Sequence, residues 1–166
     1  SGVWFAGFID IPSQTLGKIA CYYSNMNSIC THHGNLFMMA GAPGLSTELI
    51  SFSLDSTVNK VYAPASLPID SSELSEPESV LFPSANNQKV HAFFYPPANT
   101  HFRGHDDDLP LVIAICHGGP TDATQSSLNL KIQYWTNRGF AVVDINYRGS
   151  TGFGRRYRQG LVGAWG

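Results

Sequence analysis

The chain has 166 residues, enough for one ordinary domain or parts of two. Its composition is 43% hydrophobic, 12% aromatic and 13% charged, which suits a globular protein and excludes a disordered or low-complexity chain. A net charge of −2 excludes a general nucleic-acid binder, and no apolar run approaches the ~20 residues of a membrane span.

Residues 1–78 read as short strands between turns. Strands are expected over 17–23, over the apolar run 36–40 ahead of Gly41-Ala42-Pro43-Gly44, over 48–54 ahead of Asp55-Ser56-Thr57, and over 58–62. Such short strands, with turn signals every ~8–12 residues, predict antiparallel β structure, a sandwich or a propeller. A propeller would find material here for about one or two blades. A Ser/Pro/Glu-rich stretch over 66–78 has the composition of a linker and places a domain boundary after residue 78.

The period then changes. Residues 80–82 and 90–95 predict a hairpin turning through Asn86-Asn87, and 101–108 read as a polar insertion. The continuous apolar run 111–116 suits a strand buried on both faces. Leu128, Ile132 and Trp135 recur with the spacing of one helical face, Gly139 stands where a C-terminal cap belongs, and 140–147 predicts a second buried strand. Strand, helix, strand in this order is a βαβ unit and implies parallel strands. The fold class is therefore an all-β part followed by the beginning of an α/β sheet.

Charges are unevenly placed. Acids gather at Asp70, Glu73, Glu76, Glu78 and 106–108, and bases at Arg148, Arg155, Arg156 and Arg158. With no aromatic platform or helical basic stripe beside them, the arginines read as a solvated loop rather than an RNA or anion site. Cys21, Cys30 and Cys116 form neither a disulfide framework nor a zinc site, and buried reduced thiols in a cytoplasmic protein are expected. His32, His33, His101, His105 and 106–108 lack metal-ligand spacing, so no metal and no cofactor is expected.

The segment that carries chemistry is His117-Gly118-Gly119-Pro120, directly after the first buried strand. A backbone N–H that meets a tetrahedral oxyanion must approach to about 2.7–3.1 Å, and glycine leaves that approach clear while proline stiffens the exit. A plain strand-to-helix turn accounts for a Gly-Gly pair equally well. His117 reads as a hydrogen-bonded structural residue rather than a general base.

Further residues make the pattern specific: Leu130-Lys131-Ile132-Gln133-Tyr134-Trp135, Gly139-Phe140-Ala141-Val142-Val143-Asp144 and Asn146-Tyr147-Arg148-Gly149-Ser150-Thr151-Gly152-Phe153-Gly154. Together with the His-Gly-Gly-Pro segment, this chain resembles the prolyl oligopeptidase (S9) family, in its acylaminoacyl-peptidase and dipeptidyl-aminopeptidase-like branch. The resemblance implies the last blades of a β-propeller over 1–78 and the N-terminal part of an α/β-hydrolase catalytic domain over 79–166. It implies a Ser-Asp-His peptidase acting on short peptides, with the triad in that chain order. Gly119, with Gly118 as second choice, would supply an oxyanion N–H, and His117 and Pro120 would lie beside the substrate. Arg148 would hold nearby loops by ion pairing. The partner implied is a peptide substrate, with no nucleic acid and no membrane.

No Gly-x-Ser-x-Gly elbow occurs in the chain. Gly149-Ser150-Thr151-Gly152 is not one, because Arg148 stands two residues before Ser150, and the serine follows its strand one βα unit too early. Asp144, His101 and His105 are not expected to converge on it. The chain alone is expected to be inactive. A truncated binding module and a lipase- or esterase-like hydrolase are the alternative readings.

Overall fold

The computed structural model describes residues 2–53, 57–105, 107–119 and 121–164. Asp55 and Ser56, Asp106, Pro120 and the terminal Trp165-Gly166 lie outside the described residues. The chain is mostly β-strand with few helices, and it separates into two compact units, residues 3–67 with 126–128 and residues 1–2, 68–125 and 129–166.

In the first unit, β1 (Gly7–Asp10) and β2 (Thr15–Lys18) pair as an antiparallel hairpin. Next come β3 (Asn25–His32), β4 (Asn35–Ala42), β5 (Leu45–Phe52) and β6 (Val58–Tyr62), an antiparallel sheet in sequence order. His33 and Gly34, with φ of 45° and 76°, make the β3–β4 turn with two left-handed residues, the twist a tight hairpin needs. Alternation along the strands sends Met38 and Ala40, and Ile50 and Phe52, into one core with Ala6, Ile19, Tyr23 and Met26. Residues 126–128 join this unit through Leu128 N–H, which donates to the Ala42 carbonyl at 2.9 Å.

Glu48 is 3% exposed on β5 and is held by Lys60 Nζ at 2.9 Å and the Tyr23 hydroxyl at 2.7 Å. Burial pushes its carboxyl up, but the hydrogen bonds from Lys60 and Tyr23 and the lysine charge outweigh it, leaving the group below its ordinary 4.5. A carboxylate held low contributes stability that is complete above 4.5 and is lost as pH falls through the folded value. Acidification below 4.5 is therefore expected to lower the melting temperature of the wild type more than that of Glu48→Gln. Parallel pH series of thermal melts check this; equal acid sensitivity refutes it.

Two expectations change in this unit. The strand expected over 17–23 ends at Lys18, and β3 forms where none was expected. β3 hides its pattern because a bulge between Asn27 and Cys30, with Ser28 at φ 53°, breaks the alternation. Nor are the thiols buried: Cys30 and Cys116 are exposed and Cys21 is half-buried, all three free. Cys30 lies on the open stretch of β3 and Cys116 ends an edge strand.

The second unit is built on β7 (Glu78–Pro83), β8 (Lys89–Tyr95), β9 (Val112–Cys116), helix α1 (Leu130–Thr136), β10 (Ala141–Asn146) and the one-turn helix α2 (Arg155–Arg158). Its sheet has the order β7-β8-β10-β9, with β10 antiparallel to β8 and parallel to β9. The expected hairpin of β7 and β8 forms, with Asn87 in left-handed geometry, and the strand–helix–strand segment gives the expected parallel pair. β9 is not buried on both faces. Among the described residues it is an edge strand, partnered by β10 alone, and its residues alternate between exposed and half-buried. The arginines of 155–158 wind into a helical turn rather than a loop.

Helix α1 starts later than the Leu128 periodicity suggests, because the Asn129 side chain caps it by accepting the Lys131 N–H at 3.0 Å. Ile132, 2% exposed, packs into a core with Phe93, Tyr95 and Val142. The helix ends in a Schellman motif: Phe140 N–H donates to Trp135 O, Gly139 N–H to Thr136 O, and Gly139 has φ 85°. The Trp135 and Phe140 rings meet edge-on at 5.2 Å, the apolar contact that accompanies such caps.

The segment with linker composition is tied to this helix. Gln133, 5% exposed, accepts the Ser75 N–H at 2.7 Å and donates to the Ser75 carbonyl at 3.0 Å. Asn137 donates to Glu73 Oε2 at 2.8 Å, and Asp70 caps a 3-10 turn over Ser71–Glu73.

Candidate functional site

Parallel pairing decides what meets at the end of the sheet. Cys116 lies opposite Ile145, so the segments after β9 and β10 leave the same edge together. One begins with His117-Gly118-Gly119 and the other with Tyr147-Arg148-Gly149-Ser150.

Gly119 has φ 69°, a backbone that disfavours any side chain. An added Cβ at Gly118 or Gly119 would meet nothing within 4 Å, so the glycine requirement at 119 is conformational rather than steric. Among the described residues, neither the Gly118 nor the Gly119 N–H has an acceptor, and both residues are exposed. Two free N–H groups at a strand end can accommodate a developing negative charge.

The carbonyls of this loop are held. Tyr147 Oη donates to Gly119 O at 2.7 Å and, more weakly, to His117 O at 3.2 Å. The Tyr147 and His117 rings stack at 4.4 Å with 15° between planes. His117 Nε2 lies 2.7 Å from Ser150 Oγ. Since the Ser150 hydroxyl spends its one proton on Tyr147 O at 2.7 Å, it must accept from His117, and Nε2 carries the proton.

Ser150 is therefore not a nucleophile in waiting. It is fully buried, its proton is committed to a carbonyl, and its histidine faces it as a donor. The convergence with His117 is nevertheless one that sequence reasoning missed. The available signal was the parallel pair itself, which brings the residue after β9 beside the loop after β10. Among the described residues, the hydrogen-bond partners of Ser150 Oγ are His117 and Tyr147, not His101 or His105.

Asp144 is 6% exposed on β10 and accepts a hydrogen bond from the Thr124 hydroxyl. Burial pushes its carboxyl up, against the opposing effects of Thr124 and of His117. Thr124 N–H also donates to Asn146 Oδ1 at 2.8 Å, fixing the segment between β9 and α1. On the other side, the Tyr157 hydroxyl donates to Asn146 O and the Phe153 ring stacks on His91 at 4.2 Å, anchoring residues 153–157. Arg148 is exposed and, among the described residues, makes no ion pair. It lines a groove of about 900 Å³ with Lys89, Arg156 and Tyr157.

A parallel strand–helix–strand with unpartnered glycine donors after its first strand is an arrangement found in hydrolytic enzymes that stabilise oxyanions. The comparisons narrow this. Residues 126–166 match the sequence model of the prolyl oligopeptidase family. Dipeptidyl-peptidase 4 of Giardia intestinalis is 33% identical over 97 residues, covering 56% of this chain and 12% of that protein. The crystal structure of a puromycin hydrolase superposes with a TM-score of 0.93 and 31% identity, over 99% of this chain and 25% of its own. A puromycin-hydrolyzing peptidase of Mycobacterium tuberculosis gives a TM-score of 0.90 and 29% identity, over 96% and 25%. The chain thus spans between 12% and 25% of the length of these three relatives. The match to the prolyl oligopeptidase (S9) family model and the likeness to these peptidases support reading the chain as part of an S9-type protein.

Proposed function

We propose that this chain is part of a serine peptidase that hydrolyses peptide bonds of short peptides by a Ser-Asp-His mechanism, with the triad contributed by residues other than these. Residues 1–78 would be the last blades of a β-propeller with a linker, and the antiparallel four-stranded sheet of β3 to β6 is the content of one blade. Residues 79–166 would open an α/β-hydrolase domain. In that reading β9 is the third strand of its sheet, and His117-Gly118-Gly119 is the loop after it, where such enzymes keep one oxyanion donor.

The observation that carries the proposal is that the Gly118 and Gly119 N–H groups have no acceptor among the described residues. When the nucleophile's oxygen adds to the peptide carbonyl, the C=O π electrons move onto oxygen, and the histidine takes the nucleophile's proton. The Gly119 N–H, with Gly118 as second choice, donates to that oxygen. One such donor lowers the barrier by about 2.7–4 kcal/mol. Collapse returns the proton to the leaving amine, and water then releases the acyl group. No cofactor or metal takes part, and neither nucleic acid nor membrane is a partner. His117 and Pro120 would border the bound peptide. A cytoplasmic location accords with three free thiols.

The test is labelling by a fluorophosphonate probe alongside hydrolysis of short peptide amides. The full-length protein is expected to label and to cleave, while the 166-residue chain alone does neither. Cleavage of acyl esters without any peptide cleavage would replace the peptidase reading with an esterase one. A full-length protein that neither labels nor cleaves would refute it.

A further inference from the structure

Tyr147 touches the candidate oxyanion loop in three ways, and each acts on the backbone that carries the free donors. Its hydroxyl bonds the carbonyls of Gly119 and His117, which flank the two glycines, at 2.7 and 3.2 Å. Its ring stacks on His117 at 4.4 Å. Its own carbonyl takes the Ser150 proton, so Ser150 can accept from His117 Nε2 and lock the imidazole's rotation.

Peptide geometry turns this grip into aim. No cis bond occurs among the described residues, so in each unit the C=O and the N–H point in opposite directions. The His117 carbonyl and the Gly118 N–H share one peptide plane. Holding that carbonyl against Tyr147 Oη therefore directs the Gly118 N–H away from the tyrosine. The next plane carries the Gly118 carbonyl and the Gly119 N–H, and its carbonyl lies 3.3 Å from His117 Nδ1. A glycine pair held at only one end would sample many orientations, because glycine is the most permissive backbone.

We propose that Tyr147 is a positioning residue: its hydroxyl clamps the carbonyls on either side of the two glycines and so holds the Gly118 and Gly119 N–H groups in the orientation that meets the oxyanion. The inference rests on the reading of these N–H groups as oxyanion donors. Tyr147 itself need not touch the substrate.

The experiment uses the full-length protein with Tyr147→Phe, which keeps the ring and removes the hydroxyl, and Ser150→Ala, which frees the imidazole. For Tyr147→Phe, kcat on a short peptide amide is expected to fall about 10- to 100-fold with KM unchanged, as for other losses of alignment without loss of binding. Inhibition by a peptide boronic acid, which becomes tetrahedral on the nucleophile, should weaken by the same factor. Ser150→Ala should move kcat in the same direction. A tyrosine that merely stabilises the fold would lower the melting temperature and leave kcat per folded molecule unchanged. Unchanged kcat and boronate affinity in both variants would overturn the proposal. If the wild type proves inactive, the peptidase reading fails on its own. The clamp is then decided by crystal structures: Gly119 O turned away from position 147 in Tyr147→Phe supports it, and an unmoved loop refutes it.

Discussion

Gly119→Ala in the full-length protein is expected to lower kcat by about 10²- to 10³-fold, with KM little changed, through loss of an oxyanion donor's alignment. Gly118→Ala provides the contrast. At position 119 the φ of 69° forces a left-handed residue, at a cost of about 1–2 kcal/mol for an L-amino acid. The surroundings offer alanine no obstacle, since an added Cβ meets nothing within 4 Å. The strain can therefore relax in one way, by rotating the backbone at 119 and carrying its N–H out of line. Position 118 has neither positive φ nor crowding, so Gly118→Ala should leave the melting temperature unchanged. Steady-state kinetics with thermal melts on both variants decide this. A Gly119→Ala enzyme with wild-type kcat would remove the loop from the mechanism.

Gln133→Leu is expected to be the most damaging single change to the second unit. The glutamine amide both donates to and accepts from the backbone of Ser75, and both residues are almost fully buried. Leucine fills similar space but leaves a buried N–H and a buried C=O unpaired, each costing about 1–3 kcal/mol. The sum, about 2–6 kcal/mol, is a large part of the stability of an ordinary domain. Urea unfolding monitored by the tryptophan fluorescence of helix α1 reads it directly. A loss below about 0.5 kcal/mol, the ordinary range for surface changes, would show that water replaces the amide.

Legibility in the sequence followed the strength of the local pattern. Continuous apolar runs announced β4, β9 and β10, and Ile132 with Gly139 announced α1 and its cap. What failed was whatever depends on distant partners. β3 is half polar and bulged, so its pairing with β4 has no periodic signature. Residues 70–75 have a linker's composition, yet Asp70, Glu73 and Ser75 find partners in a 3-10 turn and on helix α1, more than fifty residues away for Ser75. At the site, His117, Gly118 and Gly119 stood out because glycine pairs after an apolar run are chemically pointed. Tyr147 did not, because a tyrosine at a strand end looks alike whether its hydroxyl meets water or a carbonyl 28 positions earlier.

The sheet order β7-β8-β10-β9 also sets a timetable. The strand that joins the hairpin to β9 is the last of the four to be made. β9 leaves the ribosome as five residues without a charge, Val112-Ile113-Ala114-Ile115-Cys116, and its sheet partner is complete only roughly 30 residues later. At about 5–20 residues per second that is a wait of about 1.5–6 s. During it a nascent chain offers both edges of an apolar strand to any neighbour, the kind of segment on which holding chaperones act and aggregates nucleate.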